Sequence, residues 1–158
     1  MKFDIKAEGR MLSPNLIQNL EQQLETAIGK MSQDAIAVIN ARTVSGKDAD
    51  NKSFVDYSKQ YAKERIKEGR KSKPVDLLWT GGMLRSMQWQ LTKTANKIAG
   101  TIFFADSTEA QKAAYLMAGR KRKDGKNSAR KFFSFGEKLI NRLTKIYDKS
   151  VNLKEANK

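Results

Sequence analysis

The first third of the chain carries one continuous apolar stripe at helical spacing. The stripe follows Ser13 and Pro14, which suit the N-cap and the first position of a helix. Its spacing predicts one long helix, to about Ala41, with a single buried face. The partner of that face is open between a sheet of the same subunit and a neighbouring subunit. The apolar positions are Ile17, Leu20, Leu24, Ile28, Met31, Ala35 and Val38.

The middle of the chain alternates between apolar and polar side chains, which is typical of a half-buried strand. Met87, Trp89 and Leu91 alternate with polar residues, and a second strand-like run covers Ile98 to Phe104. A turn over Lys93 to Lys97 would join the two runs into a β-hairpin. We expect the face of Met87, Trp89 and Leu91 to be buried against the first helix, because these are the two largest one-sided apolar surfaces.

A short turn precedes the hairpin. Thr80 is placed to cap a turn of helix from Gly81 to Ser86, and two successive glycines allow a positive φ that other residues resist. We expect this turn to aim the hairpin, so that changing Gly81 or Gly82 to Val loses folded protein. The residues assigned to the turn are Thr80, Gly81, Gly82, Leu84, Arg85 and Ser86.

Two further helices are predicted from their ends. One covers residues 55–68 and stops at Gly69, and the other covers residues 108–118 and stops at Gly119. Ser107 is the expected N-cap of the second of these. Between the two, the apolar stretch from Val75 to Trp79 is expected to be extended.

A last helix completes the predicted fold. Ser134 to Glu137 matches the S-x-x-E capping box, and an apolar face follows it. The order helix, helix, hairpin, helix, helix predicts an α+β fold, with a small antiparallel sheet covered by the long N-terminal helix and the further helices. We assign residues 1–151 to a single domain and residues 152–158 to a polar C-terminal tail. The apolar face of the last helix consists of Leu139, Leu143, Ile146 and Tyr147.

Composition removes several classes of chemistry. The 158 residues include 31 basic and 17 acidic side chains but no Cys and no His, for a net charge of +14. Thiolate nucleophiles, sulfur-based or imidazole metal sites and Ser-His-Asp triads are therefore impossible. Asp48, Asp50 and Asp56 lack the terminal Glu of a calcium loop. We expect no enzymatic activity, cofactor, metal or small-molecule substrate.

Two basic segments carry most of the charge: Lys59 to Lys73 has +5 and Arg120 to Lys131 has +6. The first lies on a predicted helix and is interpreted as a solvated face. The second is rich in loop-forming residues and is open between a solvated loop, contact with an acidic protein and contact with nucleic acid. No aromatic residue interleaves with its charges, as it would in many single-strand binders. Its basic residues are Arg120, Lys121, Arg122, Lys123, Lys126, Arg130 and Lys131.

Four separated segments form an ordered pattern over about residues 50 to 150. They are Phe54 with Tyr57-Ser58, then Asp76 to Met87 before the hairpin, then Ala113 to Gly119, and finally Ala129 to Phe133. In order and spacing they resemble the virion morphogenesis, or tail-completion, family of tailed bacteriophages. Members of that family commonly show L-x-x-T-G-x-L-x-x-S, a hairpin, Y-A-x-x-H-x-x-G and A-R-P-F-x-G. This chain lacks the His and has Lys131 where Pro is common.

The resemblance implies a non-enzymatic structural protein of the virion neck or tail. Such a protein forms a homo-oligomeric ring that joins the portal-side adaptor of the head to the tail terminator or tube proteins, with packaged DNA close by. It would assemble in the host cytoplasm, and the sequence has neither the apolar core of a signal peptide nor a run that spans a membrane. The alternative function is a basic nucleic-acid-binding module that uses residues 120–131 and 59–73.

Overall fold

A computed structural model of the chain describes residues 2–5, 14–78, 80–95, 97–120 and 128–151. The predicted α+β class, with a long N-terminal helix and an antiparallel sheet, is confirmed. In chain order the elements are β1 (Lys2–Ile5), α1 (Pro14–Val44), α2 (Lys59–Lys67), α3 (Gly82–Arg85), β2 (Met87–Thr94), β3 (Lys97–Phe104), α4 (Ser107–Ala118) and α5 (Glu137–Ser150).

The longest element, α1, has 31 residues and continues three residues beyond the predicted end. The middle of the predicted stripe, from Leu24 to Ala35, is buried. At its ends the prediction is wrong, because Ile17 is 44% exposed and Ile39, rather than Val38, is fully buried. Apolar spacing identifies a helix face, but the reach of the neighbouring elements decides how much of that face is covered. The predicted N-cap, Ser13, lies outside the described residues.

The sheet has three strands in the order β1-β3-β2. β2 and β3 form the predicted hairpin, with longer strands and a tighter connection than the sequence indicates. β1 runs antiparallel to β3 and places Lys2 opposite Thr101 and Ile5 opposite Ile98. The sequence pattern predicts no strand at β1, because four residues are too few to establish an alternation.

The apolar face of β2 is buried only at its beginning. Met87 is buried and Trp89 is half-buried, but Leu91 is 36% exposed. The expected burial of Leu91 is therefore wrong. Trp89 does lie against α1, since its Cη2 is 3.3 Å from the position that a Cβ on Gly29 would occupy. The physical reason is that β2 is an edge strand whose last five residues are all exposed.

Contacts among the residues divide the chain into two compact units. The first unit comprises Met1–Ile36, Gln88–Phe103 and Glu137–Lys158, and the second comprises Ala37–Met87 and Phe104–Gly136. Each unit is assembled from segments that are distant in sequence, so no linker marks the division. The predicted single domain over 1–151 stays a prediction, and the predicted tail over 152–158 lies outside the described residues.

The first unit is built around an apolar cluster. Leu24 and Ile28 of α1 pack with Ile98 of β3, and Tyr147 and Val151 cover them. Leu139 and Leu143 of the predicted α5 face are buried as well, while Ile146 is half-buried.

Ion pairs of the first unit lie at its surface. Lys93 of β2 contacts Glu21 at 2.8 Å and Glu25 at 3.0 Å. Arg142 of α5 donates to both carboxylate oxygens of Asp34, each at 2.6 Å. These pairs join the helices and the sheet within the unit, but they are partly solvated and contribute less than the apolar cluster.

The capping box predicted at Ser134 is wrong. α5 begins at Glu137, and the Ser134 hydroxyl instead donates to the carbonyl of Lys131 at 3.5 Å. Gly136, the residue before α5, lies against another backbone segment, because a Cβ there would be 1.9 Å from the carbonyl oxygen of Ala49. This close approach of two backbone segments is a tertiary contact that local sequence does not reveal.

Within the part of the chain that the structure describes, no helix combines the length and the apolar character needed to cross a membrane.

Candidate binding groove

The candidate site is a groove of the second unit that begins at α2. Ser58 caps this helix by accepting a hydrogen bond from the amide of Tyr61 at 3.2 Å. The cap places the first helical residue at Lys59, four residues later than predicted. Gly69 then ends the turn after α2 with φ of 69°, as the sequence predicts.

Arg65 of α2 is a buried cation, only 2% exposed. Its Nε donates to the carbonyl of Lys71 and its Nη1 to the carbonyl of Leu78, both at 2.8 Å. Its Nη2 donates to the carboxylate of Asp76 at 2.9 and 3.2 Å. These bonds offset the cost of removing the charge from water. The interpretation of residues 59–73 as a solvated face is therefore wrong at Arg65, where the loop of residues 71–78, which follows α2 in the chain, folds over the side chain.

That loop is not the extended segment predicted from Val75 to Trp79. The Asp76 carboxylate accepts a hydrogen bond from the amide of Leu78 at 3.0 Å, which bends the chain. Leu77 adopts a positive φ of 53°. The apolar composition indicates burial, and Val75 is indeed 4% exposed, but the hydrogen bonds to Asp76 decide the backbone path. Trp79 lies outside the described residues.

Tyr57 contacts three charged side chains, those of Arg65, Asp76 and Arg130. Its hydroxyl donates to Asp76 Oδ1 at 3.3 Å. The guanidinium groups of Arg65 and Arg130 lie over its ring at 4.8 and 5.2 Å from the centroid, and Tyr61 meets it edge-on at 5.0 Å. Burial raises the pKa of the Tyr57 phenol, which favours the protonated form that donates to Asp76.

The predicted turn after Thr80 forms one side of the groove. Gly81 has φ of 77°, and Thr80 Oγ1 accepts from the amide of Gly82 at 3.3 Å. Arg85 Nη2 donates to the carbonyl of Thr80 at 2.8 Å, and a Cβ on Gly81 would lie 2.7 Å from Arg85 Nη1. The expected positive φ is found at Gly81 but is wrong at Gly82, which lies outside the left-handed region.

The other predicted residues of this turn serve its packing. Leu84 is buried. Ser86 donates from its hydroxyl to the carbonyl of Met83 at 2.9 Å, and its own carbonyl accepts from the amide of Ala105 at 2.8 Å. The turn is thereby attached to the segment that leads into α4.

α4 forms the next part of the groove and packs directly against this turn, since a Cβ on Gly82 would lie 3.0 Å from Glu109 Oε1. Asp106 caps this helix by accepting from the amide of Glu109 at 3.0 Å, so the cap lies one residue before the predicted Ser107. Lys112 pairs with Glu109 at 2.8 Å. Tyr115 follows Lys112 by three residues, shares its helix face and is 70% exposed.

The described ends of the basic loop are attached to the same wall. The amide of Arg120 donates to Ser128 Oγ at 2.9 Å, and the amide of Ser128 donates to the carbonyl of Arg120 at 3.0 Å. The amide of Arg130 donates to the carbonyl of Leu116 at 2.8 Å, and its Nη2 donates to the carbonyl of Val55 at 3.3 Å. Arg130 is therefore part of the packed unit.

Of the predicted basic residues, Arg120 and Lys131 are exposed and Arg130 is half-buried. The carbonyl of Lys131 accepts from the amide of Ala49 at 3.1 Å. The remaining four, Lys121, Arg122, Lys123 and Lys126, lie outside the described residues.

These elements enclose a groove of about 640 Å³, within the range of about 300 to 1,000 Å³ typical of ligand-binding pockets. The sequence identifies the turn and the basic residues but not the groove. Tyr57, Tyr61 and Arg65 at intervals of four were the one local signal of a shared face. The lining side chains best placed to contact a ligand are those of Tyr57, Tyr61, Met83, Lys112, Tyr115 and Arg130.

The groove presents hydrogen-bonding groups, apolar surface and charge. Among the residues described here, no group of three or more acidic side chains could hold a metal ion. Two ion pairs at the groove are structural contacts: Arg65 pairs with Asp76, and Lys112 pairs with Glu109. The arrangement is suited to binding.

Comparison of the chain with protein-family models, with curated proteins and with solved structures gives no match. Interpretation of the groove therefore rests on its own residues and on the resemblance of the four segments.

Proposed function

We propose that this chain is a structural protein of a tailed bacteriophage that completes the neck or tail. The observation that carries the proposal is that each of the four segments that resemble the tail-completion family supplies a residue to one groove. Tyr57 comes from the first segment, Gly82 from the second, Tyr115 from the third and Arg130 from the fourth. Chance matches to four weak motifs would scatter over the surface, whereas parts of one functional surface come together.

In this role the protein forms a homo-oligomeric ring between the portal-side adaptor of the head and the tail terminator or tube. The second unit contains 19 basic and 9 acidic residues, a net charge of +10. A positive surface of this kind suits acidic patches on adjoining proteins, where charge complementarity speeds encounter and sets register. The protein acts in the virion, after assembly in the host cytoplasm.

Joining of heads to tails tests the proposal. Heads and tails are prepared from the phage that encodes this chain after its gene has been deleted, and joined particles are counted by electron microscopy after the purified protein is added. We expect wild-type protein to restore joining and to do so more slowly as salt rises, while the Debye length falls from about 10 Å to 3 Å.

A charge-matched pair of variants shows whether the basic loop takes part. Changing Arg120, Lys121, Arg122 and Lys123 to Ser should lower the joined fraction and leave the fold intact, because substitutions in a solvated loop, one of the readings that the sequence leaves open here, usually change stability by less than about 0.5 kcal/mol each. The control removes four exposed cations of the first unit, Lys30, Lys138, Lys145 and Lys149. Equal joining by both variants at every salt concentration would mean that the loop is solvated and takes no part in joining. Failure of wild-type protein to restore joining would overturn the proposed function.

The net charge of +10 also supports the alternative function, a nucleic-acid-binding module that uses residues 120–131 and 59–73. A gel shift of duplex DNA at physiological salt distinguishes the two functions. A shift abolished by the loop variant and retained by its control, together with undiminished head-tail joining, would favour the alternative.

A further inference from the structure

We propose that the groove of the second unit binds a short acidic segment of a partner protein, anchored by one large apolar side chain. The inference rests on the proposed function, because it gives the chemistry of a partner for that assembly surface. Three features of the groove carry it: an apolar floor, an exposed tyrosine on the wall, and a positive margin.

The floor of the groove is apolar and preformed. Met83 is 6% exposed, and Tyr61, Leu77 and Leu116 are half-buried around the same space. A space of about 640 Å³ accepts a large side chain with its flanking backbone. Because Ser58 caps α2 and the bond from Arg85 to Thr80 holds the turn, little of this lining has to be ordered when a ligand enters.

Tyr115 supplies the exposed apolar contact. At 70% exposure it is the most exposed of the large apolar residues that the structure describes, and it lines the groove beside Lys112. Tyrosine is enriched among the residues that dominate protein interfaces, since its ring gives large contact area and its hydroxyl a hydrogen bond. An anchor in the groove would cover this ring.

Charge at the groove favours an acidic occupant. Three acids in or beside the lining are paired: Asp76 with Arg65, Glu109 with Lys112, and Asp56 with Lys73 at 2.8 Å; a further acid, Asp106, lies beside Glu109 and caps α4. Arg130 in the lining and two arginines next to lining residues, Arg85 and Arg120, add positive charge to that balance. A partner segment with Asp or Glu beside its anchor is therefore attracted to the groove.

The same geometry disfavours single-stranded nucleic acid. Base stacking needs open aromatic faces. The ring of Tyr57 is covered by two guanidinium groups, and the half-buried Tyr61 packs against it in a T-shaped pair. Tyr115 alone leaves a largely exposed ring, which is too little for a run of bases.

Selection from a random library of displayed 12-residue peptides, with the full-length protein immobilised, tests the inference without knowledge of the partner. We expect the enriched peptides to carry more Asp and Glu than the starting library and one Phe, Trp, Leu or Met. The most enriched peptide is then labelled with fluorescein, and its affinity is measured by anisotropy at several salt concentrations. Affinity should fall as salt rises.

Two variants locate the binding. Tyr115→Ser should weaken the labelled peptide by about tenfold or more, as loss of a central aromatic contact does. Ile66→Ser is the control, because Ile66 is 61% exposed on α2 of the same unit and does not line the groove. The affinity of this variant for the labelled peptide should stay within about twofold of the wild-type value. Circular dichroism checks that both variants are folded.

Enrichment without an acidic excess, or equal affinity for wild type and Tyr115→Ser, would overturn the inference. Competition by a 12-nucleotide single strand, lost in Tyr115→Ser, would overturn it in favour of nucleic acid. The proposed function fails separately: acidic peptides that depend on Tyr115, combined with no restoration of head-tail joining by wild-type protein, would leave the groove assignment standing and remove the phage role.

Discussion

The two units of the chain differ in the interactions that stabilise each of them from within. In the first, Leu24, Ile28 and Ile98 form an apolar cluster, and the ion pairs lie at the surface. In the second, a buried Arg65 bonds to loop carbonyls and to Asp76, and Arg42 donates to the carbonyls of Phe132 and Ser134. The second unit has buried apolar side chains as well, among them Phe132 and Met83, and adds cations that hold its loops in place.

The second unit also carries the larger net positive charge. The first has 12 basic and 8 acidic residues, net +4, and the second has 19 and 9, net +10. Part of the positive charge of the second unit is structural, as at the buried Arg65, and part is exposed, as at Arg120 and Lys131, while the half-buried Arg130 both bonds to Val55 and lines the groove. A basic composition is thus a mixture of two roles, and only the exposed part is available to a partner.

The largest expected effect comes from removing the buried cation of the second unit. Arg65→Ala leaves Asp76 without its charged partner and should lower the free energy of unfolding by about 3 to 5 kcal/mol. Urea titration measures the loss, and hydrogen exchange by mass spectrometry should show faster exchange across residues 59–78. Lys63→Ala, on an exposed position of α2, is the control. A loss below about 1 kcal/mol would mean that the hydrogen bonds and the ion pair of Arg65 contribute little to the stability of this unit.

The matching test of the first unit removes apolar volume. Ile28 is fully buried, and Ile28→Ala should cost about 2 to 5 kcal/mol through lost burial and the cavity left behind. Ile140→Ala, at a position 50% exposed on α5, is the control and should cost much less. Urea titration compares the two, and similar losses would argue against the apolar cluster as the main source of stability there.

A smaller effect is expected at the turn of the groove. Gly81 and Gly69 both have positive φ, but a Cβ on Gly81 meets Arg85 at 2.7 Å, whereas nothing lies within 4 Å of one on Gly69. Gly81→Val should therefore cost more than Gly69→Val, which adds only backbone strain of about 1 to 3 kcal/mol. Thermal melting of the two variants measures the difference. Equal destabilisation would show that the bond from Arg85 to Thr80 adds nothing to the turn.

Many local features were predictable from the sequence. The spacing from Leu24 to Ala35 identifies the buried face of α1, and the alternation at Met87 and Trp89 identifies β2. Gly69 and Gly119 mark helix ends where the structure has positive φ. These features depend on residues a few positions apart, for which periodicity and capping are direct physical signals.

By itself, then, the sequence determined the fold class, the long helix, the hairpin, the excess of positive charge and the chemistries that a chain without Cys and His cannot perform. Only the tertiary structure decided which side chains are covered: Leu91 is exposed on an edge strand, and Arg65 is buried by a loop. It also assembled the groove through contacts such as that of Arg130 with Val55, 75 positions away. Burial and binding surfaces depend on which distant segments meet, and no local periodicity carries that information.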